Sequence, residues 1–225
     1  LTFRIDAAPK GAPIRQAAAQ ALGELRVREA VPHLLGLIRA DAQSPTVRAE
    51  AVRAVLRIGG HPGVEGLLGL LPELDHSREN AEFRNLVIKA LARIGAPAVP
   101  GLLQLLQEGN EYAQTAAAEA LARIGDPRAV RHMVLLCERT TSPDVYHRVS
   151  DSLYRFQNPA AVPELIITMH EQATGHNAHL GLADNVARAA LERMTRMAFG
   201  DDARDWAAWW GGRHPNYGRC RRGER

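Results

Sequence analysis

Apolar residues recur at intervals of three and four along most of the chain, the spacing that places them on one side of an α-helix. In the stretch AVPGLLQLL the apolar positions after the first alanine are Val99, Leu102, Leu103, Leu105 and Leu106. Ala-rich runs of about 13 residues alternate with apolar runs of about 11, and both carry this helical spacing. The pattern therefore predicts a chain built of paired amphipathic helices.

Glycine and proline separate the paired runs. The sequences GGHP, GAP and GDPR begin at Gly59, Gly95 and Gly125. Glycine tolerates the left-handed backbone conformation just past a helix end, and proline suits the first turn of the next helix. Each of these turns should therefore reverse the chain and make the two flanking helices antiparallel.

The helix pair recurs at a nearly constant interval. The segment Ala90–Leu106, ALARIGAPAVPGLLQLL, is similar in sequence to Ala120–Leu136, ALARIGDPRAVRHMVLL. A lone pair of helices cannot bury its apolar face, so such a period is typical of stacked repeats. We predict an all-α, right-handed α-solenoid of about six antiparallel helix pairs. A valine that opens the second helix recurs at Val31, Val64, Val99, Val130 and Val162.

The repeat also predicts the domain boundaries. We expect a lead-in over residues 1–11, a single repeat array over 12–211 and a Gly/Arg-rich tail over 212–225. Within the array the units should cover about 12–41, 44–75, 77–108, 111–141, 142–172 and 177–211.

The consensus of the units, ALxxIGDPRAVPxLxxLL, resembles the HEAT-like repeats of proteins related to bilin lyases and of many other bacterial proteins. The closing segment ALERMTRMAFGDDARDWAAWW is similar to the last unit of such arrays. The resemblance covers nearly the whole array and implies the solenoid fold. It does not imply one function, since the same repeat occurs in scaffolds, lyases, hydroxylases and DNA-repair proteins.

We expect a protein-interaction scaffold or assembly subunit with no catalytic activity and no cofactor, whose partner is a protein with an acidic or extended segment. Two alternatives stay open. One is a tetrapyrrole-handling enzyme of the bilin-lyase type, which rests on the resemblance alone. The other is nucleic-acid binding through arginines at the rim, for which a net charge of +3 and a pI of about 9.2 are weak evidence.

Partner contacts are expected on the concave face, which the second helices of a solenoid line. Its non-core positions lie two and five residues after each anchoring valine. They are His33, Gly36, Gly66, Gly69, Gly101, Gln104, His132, Leu135, Glu164 and Ile167. These positions carry no lysine or arginine, which disfavours nucleic-acid binding on the concave face. Glycine inside a helix costs about 1 kcal/mol relative to alanine, so the four glycines at these positions predict a partner segment lying close to the backbone. Sequence drift, which a stable repeat array tolerates, is the alternative explanation.

Arginine recurs at the C-terminal turn of the first helices, at Arg57, Arg93, Arg123, Arg155 and Arg193. The helix macrodipole favours a cation there, and an acidic partner at this basic rim is the alternative explanation. A shorter arginine column, Arg15, Arg48 and Arg84, begins the first helices, and we expect it to pair with loop oxygens or carboxylates. The tail adds Arg219, Arg221 and Arg222, which should suit an acidic surface.

Candidates for metal chemistry are few. HEAT-like hydroxylases repeat a His-Glu dipeptide in several units, whereas here it occurs only at His170-Glu171. The cluster His170, His176 and His179 is a weak metal candidate, and a polar linker is the simpler interpretation. Cys137 falls on a core face and should be a buried apolar residue.

No apolar run reaches the ~18 residues of a membrane span, and no signal segment is visible. A cytoplasmic location is expected, and export stays open because the chain starts at Leu1 rather than methionine. Oligomeric state is left open.

Overall fold

The computed structural model describes residues 11–40, 44–174 and 186–214. These residues form α-helices joined by turns, and the predicted all-α class is confirmed. The helices are α1 (Ala12–Glu24), α2 (Val31–Ala40), α3 (Pro45–Ile58), α4 (Gly60–Leu68), α5 (Arg78–Ile94), α6 (Val99–Glu108), α7 (Glu111–Ile124), α8 (Arg128–Arg139), α9 (Pro143–Tyr154), α10 (Val162–Thr174), α11 (Val186–Thr195) and α12 (Ala203–Arg213). Short 3-10 helices occupy Arg28–Ala30, Leu71–Glu73, Ala96–Ala98 and Pro159–Ala161.

The chain divides into two compact units, Leu1–Ile124 and Gly125–Arg225. In the first unit the odd-numbered helices α1, α3, α5 and α7 pack side by side as one layer, and α2, α4 and α6 form the second layer. In the second unit α9 packs on α11, while α8 and α12 both pack on α10. In each unit we call the exposed surface of the odd-numbered helices the first-helix face, and that of the even-numbered helices the second-helix face.

The turns within the helix pairs follow the glycine signals in the sequence. Gly59, Gly95 and Gly125 have φ angles of 65°, 73° and 74°, in the left-handed region where a side chain is strained. The Gly59 N–H donates to the Val55 carbonyl and thereby closes the last turn of α3. The predicted role of glycine as the end of each first helix is confirmed at these three turns.

The helices α1 and α3 approach each other closely because small residues face each other between them. A methyl group added at Gly23 would lie 2.7 Å from Ala54 Cα and 2.9 Å from its Cβ. These contacts are shorter than carbon atoms tolerate, and one of them is with backbone. The glycine is therefore required for this packing rather than for a turn.

A second small-residue contact recurs between neighbouring second helices. The Leu35 side chain of α2 lies on the backbone of Gly66 in α4, and the Leu68 side chain of α4 lies on Gly101 in α6. Leu35 and Leu68 occupy equivalent positions four residues after their anchoring valines, and both glycines lie two residues after theirs. The same leucine-on-glycine contact therefore joins the first repeat to the second and the second to the third.

Alanine at these two glycines is expected to have unequal effects. A methyl at Gly66 would overlap Leu35 Cδ1 and lie only 3.0 Å from Cδ2 and 3.1 Å from Cγ, so the whole isobutyl group must move. At Gly101 only Leu68 Cδ1 overlaps, and the next atoms are 3.5 and 3.6 Å away. We expect Gly66→Ala to lower the free energy of unfolding by about 1 kcal/mol, a figure that already includes the stabilising gain in helix propensity. Gly101→Ala should be neutral within about 0.5 kcal/mol, and equal losses in urea unfolding would contradict this explanation.

The C-terminal helix is held by aromatic packing. Asp202 caps α12 by accepting a hydrogen bond from the Arg204 N–H. Trp206 and Trp210 are buried, Trp209 is half-buried, and Phe199 packs edge-on against Trp206 at 4.9 Å between ring centroids. The tryptophans therefore cover the apolar side of the last described helix, the role that a terminal repeat requires.

Cys137 is buried on α8, which confirms its predicted place in the core. Burial, with the nearby Glu138 carboxylate, raises the pKa of this thiol to about 12. Since the thiolate is the reactive form, Cys137 is chemically inert in the folded protein.

Candidate interaction surface

The predicted contact positions of the first unit lie on three neighbouring second helices. His33 and Gly36 are exposed on α2, Gln104 is exposed on α6, and Gly66 and Gly101 are half-buried. Because α4 packs against both α2 and α6, these positions share one surface. Half-buried Leu35, Leu68 and Leu103 lie on the same three helices, two residues after the positions of His33, Gly66 and Gly101.

The structure explains the four glycines among the predicted contact positions in different ways. Gly66 and Gly101 accommodate the leucines of the preceding repeat, so packing within the protein explains them. Gly69 was expected inside a helix, but α4 ends at Leu68 and Gly69 is its C-terminal cap, where glycine carries no helix-interior cost. Gly36 alone among the four lies inside a helix with no described atom within 4 Å of where its Cβ would be.

In the second unit the predicted contact positions lie on α8 and α10, which pack together. Leu135 is 42% exposed although its chain neighbours Val134 and Leu136 are buried. Ile167, Glu164 and His132 are half-buried. Leu135 is thus a large aliphatic side chain presented to solvent from the middle of a stable helix.

Several charged side chains on the second-helix faces contact a polar partner within the protein. Glu65 and His61 of α4 lie 3.3 Å apart, and Arg39 at the end of α2 contacts Glu73 at 3.1 Å. In the second unit Arg131 of α8 reaches Glu171 of α10 at 3.2 Å. Exposed pairs of this kind contribute at most about 1 kcal/mol to stability.

The predicted rim arginines lie at the ends of the first helices in both units. Arg57, Arg93 and Arg123 occupy the last turns of α3, α5 and α7. In the second unit Arg193 lies in the last turn of α11, and Arg155 is the residue that ends α9. The macrodipole accounts for a cation at each place. Several of them also have partners within the protein.

Those partners differ from one rim arginine to the next. Arg123 Nη2 donates to Glu119 at 2.8 Å and to Asn85 at 3.3 Å. The Arg193 guanidinium lies over the Tyr154 ring at 4.5 Å.

Glu50 is a buried carboxylate that the sequence pattern did not single out. It is 6% exposed on α3 and accepts hydrogen bonds from Arg53 at 2.9 Å and from Arg57 at 2.8 Å. Burial raises the pKa of Glu50, but the hydrogen bonds and charges of the two arginines outweigh it, so the pKa lies below its usual range. The signal available in the sequence was a glutamate three and seven residues before two arginines on one helix.

The Glu50 cluster should make stability depend on pH. A carboxylate whose pKa is lowered by folding contributes stability above its unfolded pKa of about 4.3, and that contribution is lost as pH falls through the folded value. We expect Glu50→Gln to lower the free energy of unfolding by about 1.5 kcal/mol at neutral pH. The difference from wild type should vanish in acid. Glu119→Gln, which breaks a more exposed pair, should cost less than about 0.5 kcal/mol, and a loss at Glu50 that does not shrink as the pH falls below about 4.3 would contradict the prediction.

The shorter arginine column is confirmed in part. Arg84 donates to the Asp75 backbone carbonyl, the loop oxygen that the prediction required. Arg48 does not pair with an oxygen in the described residues, and its guanidinium lies 3.7 Å from the centroid of the Phe83 ring instead. Phe83 belongs to α5, so this cation–π contact joins α3 to α5.

Some predicted positions lie outside the described residues, namely His176, His179 and the tail residues Arg219, Arg221 and Arg222. His170 is exposed on α10. In 11–40, 44–174 and 186–214, no three His, Cys, Asp or Glu side chains come together as a potential metal site. Of the helices described, none is by itself long and apolar enough to cross a membrane, and the pair α5 and α6 reaches that composition only across a bend of 111°.

The family model for HEAT repeats matches residues 11–75 and 67–153, well over half of the chain. The chain belongs to the HEAT repeat family. No curated protein matches it. HEAT repeats are built as α-solenoids, so the predicted all-α solenoid class is confirmed. HEAT repeats commonly serve as protein-interaction scaffolds, and the family is generally non-enzymatic.

Proposed function

We propose that this HEAT repeat protein is a non-catalytic scaffold whose second-helix faces bind another protein. HEAT repeats typically bind other proteins, which supports the general role. The observation that carries the proposal for this chain is Gly36, an exposed glycine inside α2 for which the fold gives no packing reason. Alanine there would stabilise the helix by about 1 kcal/mol, so the open backbone favours a function outside the fold.

The chemistry of the face indicates the kind of partner. In the first unit the second-helix face combines small residues with half-buried leucines. Its helices α2, α4 and α6 carry one arginine, Arg39, which is paired with Glu73, so the face offers little to phosphates, which must be neutralised by cations. It suits a partner segment that approaches the backbone at Gly36 and buries aliphatic groups on the leucines.

The second unit offers a contact of its own at Leu135. An exposed aliphatic side chain flanked by the Arg131–Glu171 ion pair has the composition of an interface centre with a polar rim. Leu135 therefore supports the same proposal through a different helix.

The test is quantitative affinity capture from the native organism with a matched pair of variants. Gly36→Arg places a long side chain over the face, whereas Gly36→Ala changes only the backbone propensity. We expect Gly36→Arg, and independently Leu135→Asp, to lose proteins that wild type and Gly36→Ala retain. Gln20→Asp, on the exposed side of α1, controls for added charge. Identical recovery by wild type, Gly36→Arg and Leu135→Asp, all folded by circular dichroism, would overturn the proposal.

A further inference from the structure

A cluster of cations that outnumbers its carboxylate partners lies on the first-helix face of the first unit. Arg53 and Arg57 of α3 and Lys89 and Arg93 of α5 are all exposed. They occupy equivalent positions of the repeat, since each pair stands immediately before and three residues after an Ala-hydrophobic anchor, Ala54-Val55 or Ala90-Leu91. We call these four residues the cationic patch.

The contacts between α3 and α5 set the patch in register. The two helices pack together, and the Arg48 guanidinium on the Phe83 ring fixes residue 48 beside residue 83. Residues 53 and 57 therefore lie beside residues near 88 and 92, which brings Lys89 and Arg93 level with the two arginines. With four residues rising about 6 Å and packed helices about 9 Å apart, the four cations mark the corners of a small parallelogram.

Structural roles account for part of the patch only. The macrodipole favours Arg57 and Arg93 in the last turns, but Arg53 and Lys89 lie one turn earlier, beyond its reach. Glu50 neutralises its two neighbours on α3, but the equivalent position on α5 is Leu86, so α5 has no such carboxylate. Like charges four residues apart destabilise a helix by about 0.2–0.5 kcal/mol, and Lys89 and Arg93 are such a pair.

Acidic residues surround the patch and limit its extent. Glu24 on α1 occupies the position equivalent to Arg57, Glu82 lies two turns before Lys89, and Glu119 on α7 is engaged by Arg123. Among the described residues of α3 and α5, Glu50 is thus the carboxylate in direct contact with the patch. The four cations of the patch and this one carboxylate together carry a net charge of +3.

We propose that the cationic patch binds an extended acidic segment of a partner protein, on a face different from the one proposed above. In an extended chain alternate side chains point to the same side about 6.8 Å apart, which matches the spacing of the cations along each helix. Duplex DNA is the less suitable ligand, because affinity for it grows with the number of phosphates that a protein neutralises and the patch offers four cations, two of them shared with Glu50.

The experiment measures fluorescence anisotropy of a labelled peptide of alternating Glu and Ser on the full chain. We expect binding that weakens with added salt, little binding of the Gln-Ser peptide, and weaker binding of short duplex DNA. Lys89→Gln with Arg93→Gln should reduce affinity for the acidic peptide about tenfold. Arg28→Gln with Arg204→Gln makes the same charge change at exposed positions outside the patch and should leave affinity within about twofold of wild type.

Each remaining outcome overturns the proposal. These outcomes are the absence of binding to the Glu-Ser peptide, equal affinity of the two double variants, and tighter binding of duplex DNA than of the peptide. Folding does not confuse the result, because Lys89 and Arg93 are exposed and the relieved repulsion between them offsets the lost macrodipole interaction of Arg93, so the double variant should melt within a few degrees of wild type.

Discussion

Trp206→Ala is expected to lower the free energy of unfolding of the C-terminal helices by about 4 kcal/mol. The Trp206 side chain is fully buried, and its ring packs edge-on against Phe199 and Trp209. Its indole N–H donates to the Gly200 carbonyl at 2.9 Å. Alanine removes the ring from the contact between α12 and α10 and leaves that carbonyl without its donor, so both packing and hydrogen bonding are lost.

The measurement is hydrogen exchange resolved by peptide. In Trp206→Ala, amides of α11 and α12 should lose protection, while those of α1 and α2 should keep it because repeat stability depends on nearest neighbours. Trp206→Phe, which keeps a ring but not the N–H, should show a smaller loss of about 1–2 kcal/mol. Unchanged protection of α12 in the alanine variant would show that the aromatic cluster does not hold this helix.

Alanine at Gly23 and alanine at Gly36 are expected to change stability in opposite directions. Gly36 lies inside α2, where alanine gains about 1 kcal/mol in helix propensity, and Gly23 lies in the last turn of α1, where the gain is no larger. At Gly23 the methyl would meet Ala54 Cα at 2.7 Å, a backbone atom that no rotamer change can move. We expect a net loss of about 2 kcal/mol for Gly23→Ala and a gain of up to about 1 kcal/mol for Gly36→Ala.

Urea unfolding of the two variants and wild type, measured together, tests this pair. The comparison is internally controlled, because the same substitution is made in adjacent helices of one repeat. Equal shifts in the same direction would mean that α1 and α3 do not approach as closely as Gly23 and Ala54 indicate.

The fold followed from local signals. Apolar spacing gave the helices, and positive-φ glycines such as Gly59 and Gly95 ended them where the sequence indicated. These signals act within a few residues, so a single sequence suffices to detect them. The anchoring valines aligned the repeats because each occupies the same buried place at the start of a second helix.

The contacts between repeats were less predictable. Gly66 and Gly101 suggested a partner segment, but the atoms that need the space are Leu35 and Leu68 of the preceding repeat. Arg48 was expected to meet an oxygen and instead lies on Phe83, about 35 residues away in sequence. Such pairings depend on how one repeat rotates against the next, which the spacing of apolar residues does not determine.

The cationic patch illustrates the same limit on the functional side. Its arginines at 57 and 93 were visible as a column, but the column alone has a sufficient explanation in the macrodipole. The structure adds two observations. Arg53 and Lys89 lie one turn before Arg57 and Arg93, and Glu50 contacts the two arginines of α3 whereas α5 has no equivalent carboxylate. Burial of Glu50 is a property of the packed structure, and sequence spacing alone does not reveal it.

The leucine-on-glycine contact determines which repeats can be copied in tandem. A second copy of residues 44–75 inserted after the first would place Leu68 of one copy over Gly66 of the next, so the array should lengthen without a clash. A copy of residues 12–41 at the same point would present His33 to the incoming leucine, because that helix has histidine at the receiving position. Duplication of the second repeat would therefore preserve the leucine-on-glycine contact, whereas duplication of the first would replace it with a leucine beside a histidine.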